Sequence, residues 1–160
     1  MRAATRLPIA VSVLGLGLAA ALGASAQQEP QAIPDAVVRK MIELGLQNIQ
    51  RATCDGFNDC APASPSEFEV PPLTLDQARS AMLVGTRTAL AHWCGLDADR
   101  RSLLPMSRHL RKVLRFNERQ MALAAIIHGI QQSAVAEQLK ARGPCDAATR
   151  SKLDAQLPKT

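Results

Sequence analysis

Apolar side chains recur every three or four positions along most of this chain, and the strict alternation that marks a half-buried strand is almost absent. Val37, Val38, Met41, Ile42, Leu44 and Ile49 share one face, which predicts a first helix from a cap at Asp35 to about Ala52. Gly45 weakens that helix slightly. Thr74 and Gln77 form a capping box, so a second helix begins at Leu75. Its apolar face runs through Ala78, Met82, Ala89 and Leu90 to Trp93, and Gly95 is the natural stop. Ser102 is placed to cap a third helix that carries Pro105 in its first turn, where proline is tolerated. The chain then turns near Phe116, and Asn117 with Gln120 starts a fourth helix, Glu118 to Arg142, ended by Gly143-Pro144. From Met121 to Ile130 this helix is apolar nearly all round, the pattern of a central buried element. Asp146 caps a short last helix to about Gln156. The expected class is all-α: four main helices in a small bundle plus a short C-terminal helix.

Two segments stand outside that pattern. Residues 55–73 hold Asp55-Gly56 and Pro62, Pro65, Pro71 and Pro72, which predict a loop without regular pairing. The loop is long for a compact domain, so it is either functional or tied down. Residues 1–26 open with Arg2 and Arg6, continue with an apolar stretch from Leu7 to about Leu22, and close on Ala24-Ser25-Ala26. That is the pattern of a secretory signal, cleaved after Ala26 and leaving a periplasmic or secreted protein with no membrane span. The remainder, 27–160, suits one helical domain, and no internal repeat divides it.

Composition narrows the chemistry. The formal charge of +5 falls to +3 when Arg2 and Arg6 leave with the signal, since no acid goes with them. Aromatic residues are 2% of the chain and tyrosine is absent, so neither a base-stacking nucleic-acid groove nor an aromatic sugar groove is supported. Nucleic acid is therefore not an expected partner.

Cys54, Cys60, Cys94 and Cys145 make an even count in a chain read as exported, which points to two disulfides with three possible pairings. If the third and fourth helices form a hairpin, Cys94 and Cys145 both fall at the same end of the bundle, and Cys54 and Cys60 are left to close a small ring in the loop. The first pair would close a loop worth roughly 4 kcal/mol in the chain-entropy model, the second about 2 kcal/mol. No C-x-x-C occurs, which removes a thioredoxin-type device and covalent c-type haem. Cys94 beside His128 would suit a thiol nucleophile only if no disulfide consumed it. Glu118 at a helix start is better explained by the helix dipole than by acid catalysis. A soft, copper-type metal site is the sharper alternative, drawing on His92, Met106, His109, Met121 and His128. Both methionines also fit the apolar faces, and no pair has a diagnostic ligand spacing. His128, inside the most apolar run, is expected to be a neutral, hydrogen-bonded structural residue near Trp93.

The surface signal is cationic. Residues 100–119 contain seven Lys or Arg and one acid, Glu118. Arg108, Arg111, Lys112, Arg115 and Arg119 recur at helical spacing, which predicts a basic face suited to an anionic envelope surface or an acidic protein partner.

The runs HWCGLD at 92–97, ERQMALAAIIHGIQQ at 118–132 and GPC at 143–145 resemble those of small exported helical proteins of Gram-negative bacteria with no assigned activity, over roughly Thr74 to Cys145. The resemblance carries no active site, and it agrees with Cys94 and Cys145 acting as a pair. The reading is a non-enzymatic periplasmic binding protein without a cofactor. A small-ligand or metal carrier is the alternative, and an enzyme is a third class.

Overall fold

A computed structural model describes residues 33–159 apart from 55 and 57, so the signal segment and Asp55 lie outside the described residues. The fold is an all-helical bundle with two disulfides, and among the described residues it has six α-helices rather than four and a tail.

Helix α1 spans Asp35–Gln47. It stops short of the expected Ala52 because the backbone tightens: Asn48 donates to Gly45, and Arg51 and Ala52 donate three residues back, forming a 3-10 turn at Ile49–Arg51. Pro34, not Asp35, holds the N-cap position. Asp35 is the first helical residue and pairs with Arg79.

The 55–73 segment is more ordered than its prolines suggested. Strands β1, Thr53–Cys54, and β2, Asn58–Asp59, pair antiparallel and are closed by the Cys54–Cys60 disulfide. Helix α2, Pro65–Glu69, follows. Its proline occupies the first helical position, where a missing N–H costs nothing, and Ser64 with Glu67 forms a capping box.

Helix α3, Leu75–Trp93, starts at the Thr74–Gln77 capping box and ends before Gly95, whose φ of +66° is the left-handed conformation expected at a helix stop. The third predicted helix differs most from expectation. The chain re-enters helical geometry at Asp99–Leu103 as a π-helical turn and continues as α4, Leu104–Lys112. Asp97, not Ser102, accepts an early amide, that of Arg100. Pro105 has no N–H for the Arg101 carbonyl four residues back, so the ladder is interrupted there. Leu104 instead donates five residues back to Asp99.

Helix α5, Glu118–Lys140, is capped by Asn117 and Gln120. It buries Ala122, Leu123, Ala124, Ile127 and His128, but Ala125 is exposed and Ile126 and Ile130 are half-buried, so the run is covered on one broad face rather than all round. Helix α6, Ala147–Gln156, is capped by Asp146. Helices α3 and α5 form the main packing pair. Their N-termini meet where Gln120 donates to the Pro72 carbonyl, and their C-termini are joined by Cys94–Cys145, so they run parallel. Helix α4 returns between them in sequence, antiparallel to α3.

Two glycines set the spacing of this core. A Cβ on Gly85 of α3 would sit 2.5 Å from the His128 carbonyl oxygen, and one on Gly45 would sit 2.7 Å from Leu123 Cδ1. Gly45, which weakens α1 as an isolated helix, is what lets α1 approach α5. Val38, Ile42, Leu46 and Ile49 then pack with Met82, Leu123 and Ile127 in the main core. A smaller cluster at the stapled end joins Ala91 and Ala98 to Leu157 of the C-terminal segment. Among the described residues, no helix is long and apolar enough to cross a membrane.

Candidate functional site

The basic segment divides where the helix ends. Arg108, Arg111 and Lys112 lie exposed on α4, and Arg115 is exposed just beyond it. Arg115 has φ +55°, a left-handed conformation that an L side chain adopts at a cost of about 1–2 kcal/mol. That turn lets Phe116 swing into the core, with its N–H on the Leu110 carbonyl at 3.1 Å.

Arg119 does not share this face. The spacing from Arg108 to Arg119 holds one face only along a continuous helix, and the chain turns between Val113 and Asn117. Arg119 lies on α5 and points at the proline segment. Its guanidinium donates to both Glu67 carboxylate oxygens at 2.8 Å and to the carbonyls of Ala61 and Pro62. Its hydrogen bonds hold the Glu67 carboxyl well down, to about 2. Arg119 therefore anchors the loop internally. Arg111 is also partnered, with Glu118 at 3.1 Å, but stays largely exposed, a geometry that contributes little to stability.

Apolar side chains sit exposed among these cations: Leu104 and Leu114 at 43% and Val113 at 64%. Leu114 also forms part of the wall facing α3. Exposed cations and partly exposed aliphatic side chains thus stand together along α4 and the turn after it, a mixture suited to a charged, partly apolar interface.

The residues named for a metal are scattered. His92 is exposed, 3.9 Å from Asp99. His109 is exposed on α4, Met106 and Met121 are half-buried against the main core, and His128 is buried. Among the described residues, no group of three or more His, Cys, Asp or Glu is arranged to hold a metal ion. All four cysteines are oxidised, Cys54 to Cys60 and Cys94 to Cys145, so Cys94 offers no thiol to His128.

His128 has different company from that expected. Its Nε2 lies 2.9 Å from Thr88 Oγ1, which is 2.7 Å from Ser102 Oγ and donates to the Val84 carbonyl at 2.9 Å. The imidazole thus joins a buried cluster with two hydroxyl groups and a backbone carbonyl, which satisfies its Nε2 without a charged partner. Burial holds the imidazole below the usual histidine range, so it is neutral at pH 7. Trp93 instead donates from Nε1 to the Gly143 carbonyl at 2.8 Å, reinforcing the disulfide-stapled end. Sequence reading missed Thr88 and took Ser102 for a helix cap, whereas the two hydroxyl groups meet in the core.

A groove of about 390 Å³ runs between α3 and α4. Ala81, Val84, Met106 and Leu110 line it, with Arg87 and His109 on its rim. The C-terminal residues Leu157 and Pro158 close one end. Arg101 holds that wall, donating to the Pro158 and Leu157 carbonyls and pairing with Asp154. A wider hollow, about 820 Å³, lies between α1 and the α2 segment, with Arg39, Lys40, Glu43 and Glu69 mixed around Phe68.

Comparison of the chain with protein-family models, with curated proteins and with solved structures returns no match.

Proposed function

We propose that this chain is a non-enzymatic, exported binding protein that docks on an anionic envelope surface through α4. Export is supported by the N-terminal signal pattern and by two disulfides in a small domain. The observation that carries the docking is the exposed set Arg108, Arg111, Lys112 and Arg115 interleaved with Leu104, Val113 and Leu114. Each cation near an anionic lipid surface contributes about 1 kcal/mol, and the aliphatic side chains add burial at the headgroup boundary. The stapled bundle behind α4 supplies a fixed platform, so docking needs little ordering of the protein.

Flotation with liposomes tests this reading. The protein is expected to float with vesicles containing an anionic phospholipid and to stay behind with purely zwitterionic ones. Equal partitioning to both, or to neither, contradicts it.

A further inference from the structure

We infer that the groove between α3 and α4 binds the hydrocarbon chain of a long-chain carboxylate, with Arg87 holding the headgroup. The groove has the size of a small-molecule site, about 390 Å³. Its floor is aliphatic and sulfur-bearing, from Ala81, Val84, Met106 and Leu110, with the Ser102 hydroxyl a polar interruption. That hydroxyl is already committed to Thr88, so the floor presents no unsatisfied polar group that a hydrocarbon would strand. The π-helical turn at Asp99–Leu103 is what places Ser102 and Arg101 there, and such turns recur at functional sites.

Charge selects the headgroup. Arg101 is consumed by Asp154 and the C-terminal carbonyls, so it braces the wall rather than meeting a ligand. Arg87 is exposed on the rim and enters no ion pair among the described residues. The one acid on the rim, Asp76, is paired with Arg79. An apolar trough with a free guanidinium at its edge complements a single-chain anion, whereas a cationic amphiphile would meet a like charge. Leu114 lines this groove and is also part of the exposed α4 surface, but the groove does not depend on surface docking.

Calorimetric titration of the exported chain with decanoate, kept below micelle-forming concentration, tests the assignment. The expected result is saturable one-to-one binding, with decyltrimethylammonium at least about tenfold weaker. Arg87→Glu should weaken decanoate by about tenfold and leave decanol unchanged. Val84→Trp, which fills the floor, should abolish binding of decanoate and leave vesicle flotation intact, separating this site from the α4 surface. Ser80→Phe fills the groove from its exposed rim and serves the same purpose if Val84→Trp fails to fold. Absence of saturable decanoate binding overturns the assignment. So does equal affinity for the cationic chain, or full affinity in a folded groove-filled variant.

Discussion

At the residue scale, the most telling position is Arg115. A glycine would adopt φ +55° without strain, yet a cation stands there. Arg115→Gly is expected to stabilise the fold by about 1 kcal/mol, read as a higher urea midpoint, while weakening adsorption to anionic vesicles. A variant that loses stability would show that the arginine side chain contributes packing the account does not include. Glu67 and Arg119 make a second residue-scale case. Both side chains are 22% exposed and are joined by two hydrogen bonds. Arg119→Ala should cost about 2 kcal/mol, since it also leaves the carbonyls of Ala61 and Pro62 without their donor. The Glu67 carboxyl is depressed in the folded state, from 4.5 to about 2. Its contribution is therefore complete above 4.5 and disappears as pH falls through about 2. His128 acts in a higher window. Its folded-state value lies below the ordinary one, so on acidification the unfolded chain takes up the proton first. Stability is full above the ordinary histidine range and declines as pH drops below it. Thermal midpoints measured from roughly pH 7 to 5 should fall for the natural chain and stay nearly flat for His128→Gln.

At the scale of elements, the helices were legible because their signals are local. Capping boxes at Thr74 and Asn117 and left-handed glycines at 95 and 143 each act within a turn, and they stand where the spacing placed them. The cysteine pairing was only partly legible: a hairpin of the third and fourth helices favours Cys94 with Cys145, but the sequence leaves three pairings open, and the fold selects Cys54–Cys60 and Cys94–Cys145. What escaped depends on partners distant in sequence. Ser102 reads as a cap until Thr88 is placed against it, and Arg119 reads as surface until Glu67, 52 residues away, reaches it. The proline segment looked irregular because its two-residue ladder is held by a disulfide rather than by β-forming side chains. Helix propensity alone would favour alanine over Gly85 by about 1 kcal/mol. The His128 carbonyl 2.5 Å from the added Cβ reverses that sign, because the obstructing atom is backbone. Gly85→Ala should destabilise by about 1–3 kcal/mol, a difference readable by denaturant titration. An unchanged or raised midpoint would mean α3 and α5 have room to part.

At the scale of the whole molecule, one parallel helix pair sets the design. The Cys94–Cys145 bridge closes a loop of separation 51, and with Trp93 on Gly143 it fixes the end from which α6 returns to wall the groove. Replacing both cysteines by serine should lower stability by roughly 4 kcal/mol on the chain-entropy model. The effect should appear first as increased hydrogen exchange around Leu157 and in α6, whose packing depends on that end. Along α4 and the turn after it, Arg108, Lys112 and Arg115 stand exposed and enter no ion pair among the described residues, Arg111 pairs only with the largely exposed Glu118, and Leu104, Val113 and Leu114 stay partly exposed. Docking on an anionic surface accounts for that exposure. The most direct test is the salt dependence of the dissociation constant for anionic vesicles, compared between the natural chain and Arg111→Glu/Lys112→Glu. The account predicts an affinity for the natural chain that falls steeply with salt, and a variant that binds weakly at every ionic strength while keeping its thermal midpoint. Salt-insensitive binding, or equal binding by the charge-reversed variant, would contradict it.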